Sequence, residues 1–109
     1  MHELAITESI VASVSEHVAG AKVTRVVLEI GKRSGVVPDS VRFCFDVCAL
    51  GTALEGARLD VIEIPARAQC RDCQAELVLD DIIALCDCGS ANLIFLSGEE
   101  LRITEVEVI

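Results

Sequence analysis

Cys70-Arg71-Asp72-Cys73 is followed, after twelve intervening residues, by Cys86-Asp87-Cys88-Gly89. This cysteine cassette presents four thiols as two close pairs, which is the spacing that a tetrahedral thiolate site requires. Zinc accepts four thiolates readily, and four protein sulfurs leave no open position, so the cassette predicts a structural zinc site. Two alternatives stay open at this point, a redox-active Cys-x-x-Cys and a pair of disulfides.

The second cysteine pair is one residue shorter than the usual Cys-x-x-Cys knuckle, because only Asp87 separates Cys86 from Cys88. Alternate residues of an extended chain point the same way, so both sulfurs can still reach one ion. We expect zinc to bind there with fewer amide hydrogen bonds to sulfur. Asp72 and Asp87 are the nearest substitute ligands if Cys88 turns away.

The composition describes a small acidic protein. The chain has 109 residues, of which 52% are hydrophobic and 25% charged, and its formal net charge is −9. This length allows one domain, or one domain with a small metal-stapled lobe. A negative surface opposes binding to nucleic acid and suits a protein partner or a cationic ligand, although acidity also serves solubility.

The sequence shows no sign of membrane insertion or secretion. It contains no apolar run long enough to span a bilayer, and its N-terminus lacks the basic start and cleavage site of a signal peptide. We therefore expect a cytoplasmic protein without a membrane role. Thiols stay reduced in the cytoplasm, so paired cysteines there indicate metal ligands before disulfides.

The hydrophobic pattern predicts an α+β fold, with two helices packed on a small, mostly antiparallel sheet and an inserted zinc-ribbon-like lobe. Helices are predicted over 4–19 and from Pro38 to just before Gly51; strands over 22–30, 59–64, 91–96 and 101–108; and a short hairpin over 76–83. The last strand is expected to return to the first sheet. The expected domains are 1–65 plus 98–109, and 66–97. Cys44 and Cys48 lie on the apolar stripe of the second helix, where core packing is the favoured reading and metal binding the alternative.

The N-terminus offers a second kind of site. His2 stands one residue from the α-amine of Met1, a residue expected to be retained, and both nitrogens are available near neutral pH. Nickel(II) and copper(II) accept an imidazole, an amine and deprotonated backbone amides in a square plane. The alternative is that His2 is an incidental terminal residue.

Five short motifs run along the chain in this order: Met1-His2-Glu3-Leu4, Val27-Leu28-Glu29-Ile30-Gly31, Phe43-Cys44-Phe45, Glu55-Gly56-Ala57, and the paired cysteines followed by Gly89-Ser90. With these motifs in this order, the whole chain resembles the hydrogenase nickel-incorporation proteins of the HypA/HybF family. This resemblance implies a non-enzymatic metallochaperone that delivers Ni(II) to maturing [NiFe] hydrogenase. The Cys-x-Cys pair departs from the two intervening residues of the family pattern.

The resemblance also implies roles for particular residues. His2 would be the essential nickel ligand, with the Met1 amine and Glu3 as additional contributors. Cys70, Cys73, Cys86 and Cys88 would bind zinc. The implied partners are a hydrogenase-maturation GTPase and the hydrogenase large subunit, with urease maturation factors as a second destination, and the protein would be a monomer or weak homodimer.

Two other classes of function compete with this interpretation. One is a zinc-ribbon module that binds protein or nucleic acid, although the net charge opposes nucleic acid. The other is a thiol oxidoreductase that uses Cys70 and Cys73, but the setting of a redox Cys-x-x-Cys at a helix N-terminus is absent from the pattern.

Overall fold

The computed structural model describes residues 2–79 and 84–109, which form two helices and two three-stranded sheets. The elements in chain order are α1 (Glu3–Val18), β1 (Val23–Gly31), α2 (Pro38–Ala49), β2 (Arg58–Ile64), β3 (Ala66–Cys70), β4 (Glu76–Leu79), β5 (Leu93–Ser97) and β6 (Leu101–Val108). The predicted α+β fold class is confirmed. Neither described helix is long and apolar enough to cross a membrane.

The first sheet has the strand order β2-β1-β6. Strands β1 and β6 are antiparallel, so the last strand returns to the first sheet as predicted. Strands β1 and β2 are parallel, with Leu28 opposite Val61. A parallel pair needs a crossover connection, and α2 lies in that connection.

The main core lies between this sheet and the two helices. Val26, Leu28 and Ile30 alternate along β1 and are buried in one cluster with Val14 of α1 and Phe45 of α2. Alternation places every second side chain of a strand on one face, so β1 supplies the floor of this core. The apolar stripes of the two helices therefore face the sheet, and the helices form the layer that covers it.

On the opposite face of this sheet, charged side chains form ion pairs between the three strands. The guanidinium of Arg25, on the central strand, donates to Asp60 of β2 at 2.6 Å and to Glu107 of β6 at 2.6 Å. It also pairs with Glu105 of β6. This face is therefore polar and half solvated, as expected for a sheet covered on one side.

The helix boundaries differ from the predicted ones by about one residue. Helix α1 ends at Val18, and both Ala19 (φ 52°) and Gly20 (φ 91°) adopt the left-handed conformation that terminates it. In α2, the predicted apolar stripe has a fully buried Phe45 and a half-buried Cys48 that packs against the core. Cys44 is also half-buried.

The second sheet has the strand order β4-β3-β5, with both pairs antiparallel. The chain leaves the first sheet at Pro65 and returns to it through Ser97 and Gly98. Strand β3 was not among the predicted elements. Of the hairpin predicted over 76–83, the first arm is β4, which pairs with β3, and residues 80–83 lie outside the described residues.

Candidate metal centres

The structure brings the four cassette cysteines together at the end of the second sheet. The sulfurs of Cys70 and Cys88 are 3.7 Å apart, those of Cys73 and Cys86 are 3.5 Å apart, and all four lie within 4.8 Å of one another. A tetrahedral zinc ion with Zn–S bonds of about 2.3 Å separates its sulfurs by about 3.8 Å. The four-thiol group therefore suits structural zinc.

The same geometry does not fit the disulfide alternative. All six cysteines are free, and a disulfide needs two sulfurs about 2.05 Å apart. The cluster also contains a complete second pair, whereas a redox Cys-x-x-Cys needs only one. The spacing of the sulfurs consequently favours a shared ion over either alternative.

Two left-handed residues shape the turns that present the sulfurs. Gln74 (φ 67°) follows the first pair, and its N–H donates to the Cys70 carbonyl at 2.9 Å, four residues back. Gly89 (φ 90°) follows the second pair, and its N–H donates to the Cys86 carbonyl at 2.8 Å, only three residues back. The shorter knuckle thus closes as a tighter turn, and a glycine occupies the left-handed position at the lowest steric cost.

Backbone amides point at the sulfurs in both knuckles. The N–H groups of Cys73 and Asp72 donate to the Cys70 sulfur, and they lower the pKa of that thiol to about 7. The Ser90 N–H lowers the pKa of Cys88, but the sulfurs of Cys86, Cys70 and Cys73 together with desolvation outweigh it, so the pKa rises to about 12. Thiolates packed this closely repel one another, so a cation is what allows all four to ionise together.

A polar contact outside the sulfurs joins the two knuckles. The Ser90 hydroxyl donates to the Asp72 carboxylate, which lies between the cysteines of the first pair. The same hydroxyl accepts the Asn92 N–H at 3.0 Å. Asp72, considered from the sequence as a substitute ligand, is thus engaged with Ser90. No local sequence pattern indicates this contact, because Ser90 and Asp72 are eighteen positions apart.

His2 lies at the other candidate site, immediately before α1. It is the N-cap residue of that helix, its side chain is exposed, and its carbonyl accepts the Ile6 N–H at 2.9 Å. No side-chain hydrogen bond caps the helix at this residue. The first turn of α1 therefore holds the backbone of His2, while the exposed side chain faces solvent. The Met1 amine, the other predicted nitrogen donor, lies outside the described residues.

Glu3 is buried, with 7% of its surface exposed, although it is the first residue of α1. Its carboxylate accepts the backbone N–H of Val37 at 3.1 Å, and Val37 is the N-cap residue of α2. The N-terminal amine, followed by this Val37 N–H, lowers the pKa of Glu3 to about 2. The Glu3 carbonyl also accepts the Thr7 hydroxyl at 2.5 Å. Glu3 thus links the starts of the two helices directly beside His2.

Comparisons with known proteins decide the family. The family model described as hydrogenase/urease nickel incorporation, metallochaperone, hypA, matches residues 1–108. The chain belongs to the HypA family. The hydrogenase maturation factor HypA of Trichormus variabilis is 56% identical over 108 residues, and the match covers 99% of this chain and 96% of the relative. HypA of Geotalea uraniireducens is 48% identical over 109 residues, with 99% of each chain covered.

Solved HypA structures share the fold of this chain. The solution structure of the Ni metallochaperone HypA from Helicobacter pylori is 27% identical, with a TM-score of 0.66 and coverage of 100% of this chain and 98% of that chain. A second HypA solution structure gives a TM-score of 0.70 at 27% identity, with 100% and 97% covered. The resemblance is confirmed, and the chain is a nickel metallochaperone of hydrogenase maturation with zinc and nickel as its metals. No comparison favours a zinc-ribbon module without a nickel role.

Proposed function

We propose that Ni(II) is carried at the N-terminus, with the His2 imidazole as its essential ligand. The Met1 amine and the backbone amides of His2 and Glu3 would supply further nitrogens. The observation that carries this proposal is the exposed His2 directly before the buried Glu3. Anchoring Glu3 fixes the backbone on one side of the imidazole and leaves its ring free to bind a metal ion.

Nitrogen ligands of this kind explain both capture and release of nickel. Ni(II) accepts square-planar nitrogen donors, which a chain terminus with an amine, an imidazole and backbone amides can supply. Protonation of the imidazole and the amine competes with the metal, so a fall in local pH favours transfer to a receiver. In this arrangement the Glu3 carboxylate serves to position the terminus, since it is already engaged with the Val37 N–H.

We assign Cys70, Cys73, Cys86 and Cys88 as the ligands of a structural zinc ion, which has no open position for chemistry. The domain division that follows is 1–65 plus 98–109 for nickel, and 66–97 for zinc. It is supported by the two separate sheets and by the points where the chain passes between them.

We further propose that the protein acts in the cytoplasm as a carrier and not as an enzyme, as a monomer or weak homodimer. Its partners are a hydrogenase-maturation GTPase and the [NiFe] hydrogenase large subunit, and urease maturation factors are a second destination. The description of the matched family, which names both hydrogenase and urease, supports these partners as a class.

The nickel site is tested by replacing the two histidines separately. His2→Ala should weaken Ni(II) binding by at least about a hundredfold, because even the loss of a group that only orients a ligand can cost that much. His17→Ala is the matched control, since His17 is also exposed but lies in the last turn of the same helix, roughly 22 Å along its axis. Isothermal titration with Ni(II) and zinc analysis of both variants give the measurement.

A second variant separates the amine from the imidazole. One glycine added ahead of Met1 moves the amine while leaving His2 in place, and we expect nickel binding to weaken with zinc content unchanged. If His2→Ala bound nickel like the wild-type protein, the assignment of His2 would be wrong. If the added glycine had no effect, the Met1 amine would be removed from the proposed ligand set.

A further inference from the structure

Four large apolar side chains are exposed together on the helix layer, beside the N-terminus. Phe43, Val47 and Leu50 are 77%, 59% and 65% exposed, and Leu4 of α1 is 53% exposed. In α2 and its C-cap the three residues are spaced at i, i+4 and i+7, so they form one row about two turns long. We call these four residues the helix ridge. A contiguous exposed apolar surface of this kind is typical of a docking site.

Two grooves adjoin the ridge, and Leu4 lines both of them. The first is lined by Glu3, Phe43 and Cys44, among others, with a volume of about 450 Å³. The second, of about 650 Å³, lies between α1 and α2, with Val47 on its rim and Val11 and Cys48 among its lining residues. The surface thus offers two adjoining depressions with largely apolar linings.

Acidic side chains flank the ridge. Glu8 lines the second groove on the α1 side, and Asp39 and Asp46 are exposed on α2. Helix α1 contains no lysine or arginine, and α2 contains only Arg42, which is already paired with Asp39 at 2.6 Å. With Arg42 paired to Asp39, Glu8 and Asp46 carry the negative charge beside the ridge, which matches an occupant that carries cations beside an apolar row.

We infer that the helix ridge binds an amphipathic helix of a partner protein, whose apolar row is flanked by lysine or arginine. Helices recognise grooves through apolar side chains spaced at i, i+3, i+4 and i+7, which suits the row on α2. A second copy of this chain is a poor occupant, since each copy has a net charge of −9 and would bring acidic flanks against acidic flanks.

The position of the ridge gives the docking a functional consequence, which rests on the nickel site proposed above. Leu4 is two residues from His2, and the first groove is lined by Glu3 itself. A helix on the ridge would lie beside the carried ion and would contact the segment that holds it. The docking surface itself does not depend on nickel, so the two proposals can fail separately.

The test uses a synthetic helical peptide with leucines at i, i+3, i+4 and i+7 and lysines at the remaining positions. Two control peptides are a scrambled one of the same composition and one with glutamate in place of each lysine. Affinity is measured by fluorescence anisotropy at physiological salt, where weak surface attraction is screened. Amide chemical shifts of the isotope-labelled protein locate the bound peptide, with Leu4, Phe43 and Val47 expected to move most.

Two matched protein variants complete the test. Val47 and Val78 are 59% and 58% exposed, but Val78 lies on β4 of the second sheet. Val47→Lys should weaken peptide binding by at least about tenfold, as expected for a residue at the centre of a contact. Val78→Lys should leave the affinity within about twofold of the wild-type value, because Val78 lies outside the contact. Both variants should keep nickel stoichiometry and helical circular dichroism.

Several outcomes would overturn the inference. These are equal binding of the scrambled peptide, no binding of the amphipathic one, or equal losses in Val47→Lys and Val78→Lys. A wild-type dimer in sedimentation that Val47→Lys dissolves would assign the ridge to a second copy instead. Loss of nickel in His2→Ala with unchanged peptide binding would support docking independently of the nickel proposal.

Discussion

Glu3 shows how one side chain can determine what its neighbour is able to do. Its carboxylate is occupied by the Val37 N–H, so the residue positions the terminus from within the fold. The sequence alone indicated only an acidic residue next to His2. One of its partners, Val37, is 34 positions away in the chain, and no local pattern predicts a contact of that kind.

This role predicts different results for two substitutions of Glu3. Glu3→Gln keeps an oxygen that can accept the Val37 N–H, so nickel affinity should stay within about threefold of wild type. Glu3→Ala removes the acceptor of that partly buried N–H, which costs about 1 kcal/mol of stability, and the loosened terminus should bind nickel more weakly. Nickel titration and urea unfolding of both variants provide the measurement. If Glu3→Gln lost nickel as completely as His2→Ala, the carboxylate would have to be a ligand itself.

At the scale of elements, the sequence predicted most of the helices and strands because their hydrophobic periods are local. Strand β3 was missed, since Ala66-Arg67-Ala68-Gln69-Cys70 contains no β-branched or aromatic residue. It is a strand because β4 and β5 pair with it on both sides. The parallel pairing of β1 with β2 could not be predicted from the sequence either, because it depends on where the crossover helix packs.

The junction between the two sheets depends on a glycine in β1. A Cβ built on Gly31 would lie 2.1 Å from the Gly98 carbonyl oxygen and 2.6 Å from the Glu100 nitrogen, both of them backbone atoms. Gly31 also donates to the Glu100 carbonyl at 2.7 Å, and the Arg33 N–H donates to the Gly98 carbonyl at 2.7 Å. The side chain of Arg33 adds a further contact between the two sheets, because its guanidinium carbon lies 4.0 Å from the centre of the Phe95 ring of β5.

Gly31→Ala should therefore destabilise the protein by about 3 kcal/mol, because the backbone at Gly98 must move to admit a methyl group. Gly35→Ala is the control, as Gly35 has open space around it and a φ of +80°. Its cost should be about 1 kcal/mol, from the left-handed backbone alone. The free energy of unfolding from urea titration separates the two. Equal losses of unfolding free energy in the two variants would show that the backbone at Gly98 moves away from the added methyl group at little cost.

At the scale of the whole molecule, the two sheets lie along an elongated particle. The longest dimension is 53 Å and the radius of gyration is 17.1 Å, whereas a compact domain of about 100 residues has a radius of gyration of about 13 Å. The main core has large buried side chains such as Phe45 and Leu28. Among the described residues, the apolar cluster of the second sheet consists of Ala66, Ala68 and Leu79 with a few half-buried neighbours, and the buried Cys70 of β3 belongs to the cysteine cassette.

So small a core rarely stabilises a sheet without a metal or disulfides. We therefore expect the second sheet to depend on zinc for its stability, and the first sheet to be stable without it. Cys73→Ala should lose zinc, and amide protons of β3 such as that of Ala68 should then exchange rapidly. Amide protons of β1, such as that of Leu28, should stay protected, because their core contains no metal ligand. Hydrogen exchange by NMR, with zinc analysis, measures both parts at once.

Cys44→Ala is the matched control for this prediction, since Cys44 is a free cysteine of α2 outside the cassette. It should keep zinc and the protection of β3. Chelation of zinc from the wild-type protein should reproduce the pattern of Cys73→Ala without any change in sequence. Loss of protection in both sheets together would mean that the Gly31–Gly98 junction makes them one cooperative unit. Protection of β3 after zinc removal would instead mean that its few apolar contacts suffice, and the ion would then need a role other than folding.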